Sequence, residues 1–299
     1  MILSIGNINL DYHIFVEKIP EEDEEVLSSK CILKCGGSAS NFAVAIRRLG
    51  MKSRIIGCIG DDLIGKMLLE EFRKEDIDIN FIRIIKGVYS GQVFILKIGN
   101  ESKRMIAFRG ANSYLDENIM DFKALNNILL IHASSIPSKR IEKIFEEARN
   151  RNIITSYDPG SSVIRCGEFN YNFIKKLNFL FLNRLEARLL VGCNELSKIA
   201  KLLEINKDLH IVLKCGEEGS YIINRKNILY SKAFKVKVID VTGAGDAFNA
   251  GFLYSYLKDF GLKMSLRFGN AVAALKISRM GARELPNLNQ VMKFIENFS

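Results

Sequence analysis

Residues 238–252 read VIDVTGAGDAFNAGF, the stretch of the 299-residue sequence that decides the fold. We expect a strand to end near Asp240 and a helix to begin a few residues later. Between them, the glycines let the backbone turn tightly and point the amide groups of Gly243, Ala244 and Gly245 outward. Amides at a helix N-terminus attract anions through the helix dipole. The stretch therefore predicts an anion-binding turn.

Asp246, at the start of the expected helix, is the candidate general base. A carboxylate repels a resting phosphate, so its place beside an anion site needs a reason. Deprotonation of an attacking hydroxyl during phosphoryl transfer is the simplest one. The competing interpretation is structural, because aspartate in a first turn also stabilises a helix. The spacing alone leaves both interpretations open.

Short apolar runs alternate with amphipathic stretches along most of the chain. The runs lack a two-residue alternation, as strands buried on both faces do. This pattern predicts an α/β fold in a single domain, residues 1–299, with a doubly wound, mainly parallel sheet flanked by helices. The predicted strands of that sheet lie at residues 2–5, 54–59, 128–132, 153–156, 179–182 and 210–213.

Two regions interrupt this alternation, at residues 11–35 and 81–109. In the second, residues 81–85, 92–98 and 103–108 are predicted to be successive strands. They lie too close together for crossover helices, so we expect a small antiparallel sheet inserted into the α/β body. Such a sheet often serves as a lid over a binding site.

The composition is that of a globular protein, with 48% hydrophobic and 26% charged residues. The basic residues behind the net charge of +9 are scattered, so nucleic acid is not an expected partner. Six cysteines without a CxxC pair disfavour a zinc site. Because we find no signal peptide and no apolar run of about 18 residues, we expect no membrane partner and a cytoplasmic location.

Two common nucleotide-binding motifs are missing from the sequence. GxxxxGK[ST] does not occur, which excludes a P-loop enzyme. GNINLD, and not GxGxxG, follows the first predicted strand, which disfavours a nicotinamide-dependent dehydrogenase.

DVTGAGDAF (240–248) resembles the C-terminal signature of the ribokinase-like (PfkB-type) sugar and nucleoside kinases, and GGSASNFAVAIRRLG (36–50) resembles their N-terminal signature. Five further segments stand in the family's order: GNINLD (6–11), GDD followed by Gly65 (60–65), RGAN (109–112), NRLE (183–186) and KCGEEG (214–219). The resemblance runs from residue 2 to about 290. It implies that a sugar binds between lid and body and that ATP binds along the C-terminal half.

The resemblance also implies roles for individual residues. Asp246 resembles the catalytic base, with Gly243, Ala244 and Gly245 as the anion hole. The implied substrate contacts are Asn9, Asp11, Gly36, Gly37, Asn41 and Asp246 itself. The implied nucleotide-binding residues are Asn183, Lys214, Gly216, Gly219, Gly243, Gly245 and Asn270. Glu186 is implied to hold Mg²⁺ through water, and Asp240 and Thr242, with carbonyls near Gly281, resemble a site for a monovalent cation such as K⁺.

Two of these assignments keep a second interpretation. Asn183 and Glu186 also match a helix N-cap with an acidic first turn. Lys214 stands where many members of the family carry threonine, which weakens its implied contact with the nucleotide.

Three further residues have an open role. His132 either faces the substrate cleft or fills a structural place at a strand end. Arg109 either binds a substrate phosphate or carboxylate or lies on the lid surface, and we favour the surface. Asp158, in YDPG, either lies at the ligand-binding edge of the sheet or forms a turn, and we favour the turn.

These features predict a kinase that uses ATP and Mg²⁺ to phosphorylate a hydroxymethyl group of a sugar. Ribose is favoured because GNINLD resembles the ribokinase form, although Ser38 stands where ribokinases often carry lysine. YDPG and FLFLNRLE (179–186) resemble archaeal-type nucleoside kinases, so a nucleoside is the alternative acceptor. Fructose phosphate and ketodeoxy sugar acids also remain open, and a non-catalytic sugar- or nucleotide-binding regulator is less favoured. A homodimer through the lid is expected, because an exposed sheet edge invites pairing.

Overall fold

The computed structural model describes residues 1–98 and 102–298 of the chain. Its strands are β1 (Ile2–Gly6), β2 (Asn9–Val16), β3 (Lys30–Gly36), β4 (Ser53–Gly60), β5 (Asp78–Ile85), β6 (Gly91–Ile98), β7 (Ser102–Phe108), β8 (Leu130–Ser134), β9 (Ile154–Asp158), β10 (Phe179–Asn183), β11 (His210–Lys214), β12 (Ser220–Ile223) and β13 (Ile228–Ser231). Its α-helices are α1 (Ser38–Arg48), α2 (Leu63–Lys74), α3 (Glu142–Asn150), α4 (Gly160–Arg165), α5 (Arg184–Val191), α6 (Leu196–Ile199), α7 (Ala244–Leu257), α8 (Leu262–Ile277) and α9 (Leu288–Glu296).

The large sheet has nine strands in the order β13-β12-β11-β10-β9-β8-β1-β4-β5. All pairs from β11 to β5 are parallel, and the pairs of β12 with β11 and β13 are antiparallel. Every residue of β1 is buried, as expected for a strand covered on both faces. The prediction of a doubly wound, mainly parallel sheet is confirmed.

The second sheet, which we call the lid, has four strands in the order β3-β2-β6-β7. Its outer pairs are antiparallel, as predicted, whereas the central pair of β2 and β6 is parallel. Asn7 and Ile8 alone join β1 to β2, and Gly37 alone joins β3 to α1. The lid therefore grows directly out of the large sheet. Residues 99–101 of the predicted lid region lie outside the described residues.

One predicted lid strand belongs to the large sheet. Residues 81–85 fall in β5, which pairs in parallel with β4 at the edge of that sheet. The helix α2 lies between the two strands and serves as their crossover connection, which parallel neighbours require. The prediction that this segment joins the lid is wrong.

The strand predicted to end near Asp240 is also absent from the described chain, where residues 232–243 form no strand. The amides of Ile239 and Asp240 donate instead to the carbonyl of Ile277, at 2.7 and 3.1 Å. The end of α8 thus supplies the hydrogen bonds that a neighbouring strand would have offered.

Hydrophobic residues fill both sides of the large sheet. Phe145, Phe173 and Tyr157 belong to the cluster on one side, and Phe42 and Phe252 to the cluster on the other. The second cluster packs α1, α7 and α8 against the sheet, and this packing fixes the helix ends at which the site lies. Within residues 1–98 and 102–298, no helix combines the length and apolar character needed to cross a membrane.

Candidate active site

The N-termini of α1 and α7 meet at the carboxyl end of the large sheet. Gly243 caps α7 with a φ of 77°, a left-handed conformation that glycine adopts readily. The amide of Ala244 donates to the carbonyl of Val241 at 3.2 Å, so it is engaged by the main chain. In the described chain, the amides of Gly243, Gly245 and Asp246 have no such acceptor. Of the three amides predicted to form the anion hole, two therefore stay free, and that of Asp246 joins them.

Asp246 lies in the first turn of α7 and is held by α1. The Nδ2 of Asn41 donates to its Oδ2 at 2.8 Å. Burial raises the pKa of Asp246 to about 7; the Asn41 hydrogen bond lowers it, the charges of Asp158 and Asp11 raise it, and Lys214 lowers it. A carboxylate with a pKa near neutrality suits a general base at physiological pH.

Lys214, at the end of β11, lies in a cluster of polar side chains beside this turn. Its Nζ donates to Asp158 Oδ2 at 2.5 Å and to Asn249 Oδ1 at 3.2 Å, and Asn249 Nδ2 also donates to Asp158 Oδ2, at 2.7 Å. Burial opposes the charge of Lys214, but Asp158 and Glu186 outweigh it and raise the pKa of Lys214 above its usual value. A cation is thus held next to the free amides.

Asp158 is the carboxylate that keeps this cation in place. It lies at the end of β9, only 8% exposed. Burial opposes its charge, but Lys214 and Asn249 outweigh burial and hold the pKa of Asp158 below its usual value. Asp158 therefore belongs to the site edge of the sheet, the interpretation that the sequence analysis had placed second to a turn.

A cavity of about 250 Å³ opens beside the N-terminus of α7. Of the seven predicted nucleotide-binding residues, all but Gly243 line it: Asn183, Lys214, Gly216, Gly219, Gly245 and Asn270. A second cavity of about 890 Å³ shares part of this lining and continues past Phe234 and Val238. The two together are large enough for a mononucleotide. The side-chain amide of Asn270 donates to the carbonyls of Ser231 and Lys232, which shapes the wall between them.

Asn183 and Glu186 form a reciprocal cap at the start of α5. Asn183 Oδ1 accepts from the amide of Glu186 at 2.9 Å, and Glu186 Oε2 accepts from the amide of Asn183 at 2.8 Å. Burial, together with the charge of Asp158, raises the pKa of Glu186 to about 7 against the opposing effects of Lys214 and Asn183. The capping interpretation is thus observed, and Glu186 Oε1 has no hydrogen bond within the described chain.

That free oxygen fits the way proteins hold Mg²⁺. The described residues contain no group of three or more His, Cys, Asp or Glu side chains arranged to bind a metal. Mg²⁺ beside phosphates is commonly bound through only one or two carboxylates and several waters. Glu186 can accept a hydrogen bond from such a water.

The predicted sugar contacts lie where the lid meets the body. A Cβ at Gly36 would lie 2.0 Å from Asp11 Oδ2, so a side chain there would displace the carboxylate. Asn112 Nδ2 donates to Asn9 Oδ1 at 2.8 Å and fixes its orientation. Burial raises the pKa of Asp11 to about 7, with Arg283 lowering it and Asp240 raising it. Asp11 thus resembles Asp246, whose pKa is also raised to about 7 by burial.

Asp240, the predicted monovalent-cation ligand, is already surrounded by donors. Its Oδ1 accepts from the amide and hydroxyl of Thr242 at 3.1 and 2.8 Å, and its Oδ2 accepts from Gly281 at 3.0 Å and from Lys97 Nζ at 3.1 Å. Burial opposes ionisation, but the hydrogen bonds from Thr242 and Gly281 and the charge of Lys276 outweigh it, so the pKa of Asp240 lies well below its usual range. Lys276 Nζ donates to the Asp240 carbonyl at 2.6 Å.

His132 and Arg109 lie outside this arrangement. His132 is fully buried, with Nδ1 2.9 Å from Ser156 Oγ and its ring 4.1 Å from that of Phe42. Burial lowers the pKa of His132 to about 3, so it is a neutral core residue. Arg109 is exposed. Both placements fit the structural interpretations of these residues.

Three residues of the site were missed by the sequence analysis: Asn249, Asn112 and Lys276. Asn249 lies three residues after Asp246 on the same helix, and this spacing was a usable signal. Asn112 stands in the RGAN segment, which carries part of the family resemblance, and this was its only signal. Lys276 is a single lysine within the apolar stretch NAVAALKI (270–277), and a charge in such a stretch deserves a search for its partner.

Comparisons with known proteins agree over nearly the whole chain. A family model described as pfkB family carbohydrate kinase matches residues 1–288. The sequence is 27% identical over 302 residues to a ribokinase from Haemophilus influenzae, covering 98% of this chain and 97% of that protein. It is 27% identical over 295 residues to an ATP-dependent ribose-1-phosphate kinase from Halopiger xanaduensis, covering 98% and 97%. A crystal structure of ribokinase from Thermotoga maritima has a TM-score of 0.89 at 26% identity, covering 99% of both chains.

Proposed function

Because this chain belongs to the pfkB family of carbohydrate kinases, as its motifs predicted, we propose that it transfers the γ-phosphoryl group of ATP to a hydroxymethyl group of a ribose-like sugar. The chain is an ATP-dependent kinase of sugars or nucleosides, and the proposal concerns the acceptor and the residues. One observation carries it: the carboxylate of Asp246 lies beside amides that have no acceptor in the described chain. We treat residues 1–299 as one kinase domain.

Asp246 takes the proton from the attacking hydroxyl, because its pKa of about 7 lets it be ionised at neutral pH and still accept a proton. The free amides of Gly243, Gly245 and Asp246 donate hydrogen bonds to the oxygens of the migrating phosphoryl group and so stabilise the negative charge that collects there. Lys214 adds a fixed positive charge next to them. Closure of the lid keeps water away from the phosphoryl group.

Glu186 is the residue that would hold Mg²⁺, through a water bound at Oε1. When bound, the ion neutralises phosphate charge during transfer. The proposal is supported by the free oxygen of Glu186 and by its burial, with 4% of the residue exposed. A monovalent cation at Asp240 is not part of the proposal, since the ammonium group of Lys276 already lies against its carbonyl.

Asn9, Asp11 and Asn41 support a polyol acceptor. Aspartate accepts hydrogen bonds and asparagine both donates and accepts them, which matches the paired hydroxyls of a sugar ring. The ribokinase relative from Haemophilus influenzae favours ribose. A nucleoside carries the same hydroxymethyl group and is the second candidate, because the FLFLNRLE segment that resembles nucleoside kinases forms β10 and its Asn183–Glu186 cap.

A homodimer through the lid and a cytoplasmic location complete the proposal. The lid exposes several large hydrophobic side chains, which supports pairing with a second copy: Leu33, Met105, Ile106 and Phe108.

A coupled ATP-consumption assay with a panel of acceptors tests this function. The panel holds ribose, ribose 1-phosphate, fructose 6-phosphate, a ketodeoxy sugar acid, adenosine and cytidine. We expect the highest kcat/KM with a ribose-like sugar. A higher kcat/KM with a nucleoside would replace the acceptor but keep the kinase. No turnover with any acceptor, together with tight binding of sugar and ATP, would favour the non-catalytic regulator.

A further inference from the structure

Lys276 is a buried lysine with no place in the chemistry described so far. It lies in the last turn of α8, and its side chain is completely inaccessible to solvent. Its Nζ donates to the main-chain carbonyl of Asp240 at 2.6 Å. A buried ammonium group is costly unless it is paired, so this position needs a compensating purpose.

The place that this ammonium group takes is the one in which a monovalent cation was expected. The resemblance implied that Asp240 and Thr242, with carbonyls near Gly281, bind such an ion. Carbonyl oxygens replace the hydration shell of K⁺ in proteins. The Asp240 carbonyl instead accepts a hydrogen bond from the ammonium group of Lys276, which is a compact positive charge like K⁺.

A second ammonium group closes the site from the lid side. Lys97, on β6, donates to Asp240 Oδ2 at 3.1 Å, and only 13% of its side chain is exposed. An added K⁺ would therefore meet two ammonium groups within a poorly solvated space, and its repulsion from them would be strong. The residues around Asp240 therefore do not fit a bound K⁺ in addition to the ammonium groups of Lys276 and Lys97.

We infer that Lys276 is a built-in replacement for the monovalent cation, so that the kinase works without K⁺. The charge of Lys276 supports the segment at residues 240–246, which contains the free amides of the anion site. Lys276 is thus a positioning residue, because it touches this segment and neither substrate. Only the activity test of this inference rests on the proposed function.

The experiment compares wild-type protein with Lys276→Ala in KCl, NaCl and choline chloride at equal ionic strength. We expect wild-type kcat and KM to be the same in all three salts. In choline chloride, Lys276→Ala should lose activity, and KCl should restore it by about tenfold or more, a typical coupling between two sites. The alanine leaves a space next to the Asp240 carbonyl in which K⁺ can bind.

A second measurement does not depend on catalysis. Without nucleotide or sugar, the thermal midpoint of Lys276→Ala should be higher in KCl than in choline chloride, because an ion that binds only the folded state stabilises it. The wild-type midpoint should not differ between the salts. If the acceptor panel fails but this difference appears, the replacement of the cation by Lys276 stands and the proposed acceptor falls.

Lys176→Ala is the matched control, because Lys176 forms its ion pairs with Glu142 and Glu146 of α3 and none with residues 240–246 in the described chain. Its midpoint should fall equally in all salts. Three outcomes would overturn the inference: wild-type enzyme activated several-fold by K⁺, full activity of Lys276→Ala in choline chloride, or a folded but inactive Lys276→Ala that K⁺ does not restore. If Lys276→Ala does not fold, Lys276→Met is measured in the same way. If neither variant folds, the response of the wild-type enzyme to K⁺ decides the question.

Discussion

The side-chain amide of Asn41 donates to Asp246 Oδ2 at 2.8 Å, so helix α1 holds the candidate base that helix α7 carries. The two residues are 205 positions apart in sequence. Asn41 favours the ionised form of the carboxyl group, whereas burial favours the neutral form. The reactivity of the base is set by the balance of these effects.

Replacement of the base tests its role most directly. Asp246→Asn should lower kcat by roughly 10²-fold or more and leave ATP affinity unchanged, because general-base catalysis is lost and the cavity is kept. Steady-state kinetics and nucleotide titration measure the two effects. The exposed Asp208→Asn is the control. Near-normal turnover in Asp246→Asn would remove Asp246 from the mechanism.

The same variant should affect stability in a pH-dependent way. Burial raises the pKa of Asp246 to about 7, well above the usual value for an aspartate, so its ionisation lowers the free energy of unfolding as the pH rises from about 4 to 7. Asp246→Asn has no such cost. Its thermal midpoint should match that of the wild type near pH 4 and exceed it at pH 8. A midpoint below that of the wild type at pH 8 would contradict the raised pKa.

The pH profile of the wild-type enzyme should follow the ionisation of the base. We expect kcat/KM to rise as the pH increases through about 7, since only the ionised carboxylate of Asp246 accepts a proton. Asn41, Asp158, Lys214 and Asp11 are the groups that act on this ionisation. A profile that is flat from pH 5 to 8 would exclude a base with this pKa.

Removal of the Asn41 amide should move that profile. Asn41→Ala deletes the hydrogen bond that lowers the pKa of Asp246, so the rise in kcat/KM should shift to higher pH by about one unit. The midpoint of the rise is measured, which separates this effect from any loss of sugar binding. Asn150→Ala, an exposed change at the end of α3, should leave the midpoint in place. An unchanged midpoint in Asn41→Ala would show that burial alone tunes the base.

Lys214 and Asp158 should behave as a buried pair. Lys214→Met leaves the Asp158 carboxylate without its cation and should lower the free energy of unfolding by about 3 kcal/mol in urea denaturation. The double variant Lys214→Met with Asp158→Asn should regain most of this stability but not the affinity for ATP. If the double variant regained both stability and ATP affinity, Lys214 would serve only to neutralise Asp158. If it regained neither, the loss of stability in Lys214→Met would not come from the unpaired Asp158 carboxylate.

The sequence predicted best the features that depend on neighbouring residues. The helix was expected near Asp246 and begins at Ala244, because the glycines before it signal the turn locally. Sheet membership was harder, since residues 81–85 have the composition of a strand in either sheet and only the α2 crossover decides between them. Local patterns thus located the elements better than their partners.

The site shows the same division between near and distant partners. The Asp-Pro-Gly sequence at Asp158 can be recognised locally, whereas the partner of Asp158, Lys214, lies 56 positions further along the chain. Lys276 and the carbonyl of Asp240 are 36 positions apart. Because a main-chain carbonyl has no letter in the sequence, only the folded chain shows which group Lys276 contacts.

The short connections of the lid have a consequence for the timing of catalysis. Only Asn7 and Ile8 precede β2, and only Gly37 follows β3. These connections are too short to absorb a tilt of the lid. We expect any such tilt, when a sugar enters, to pull on the first turn of α1 and so on Asn41. Sugar binding would then adjust the contact of Asn41 with Asp246, the candidate base. ATP would not be hydrolysed while no sugar is bound.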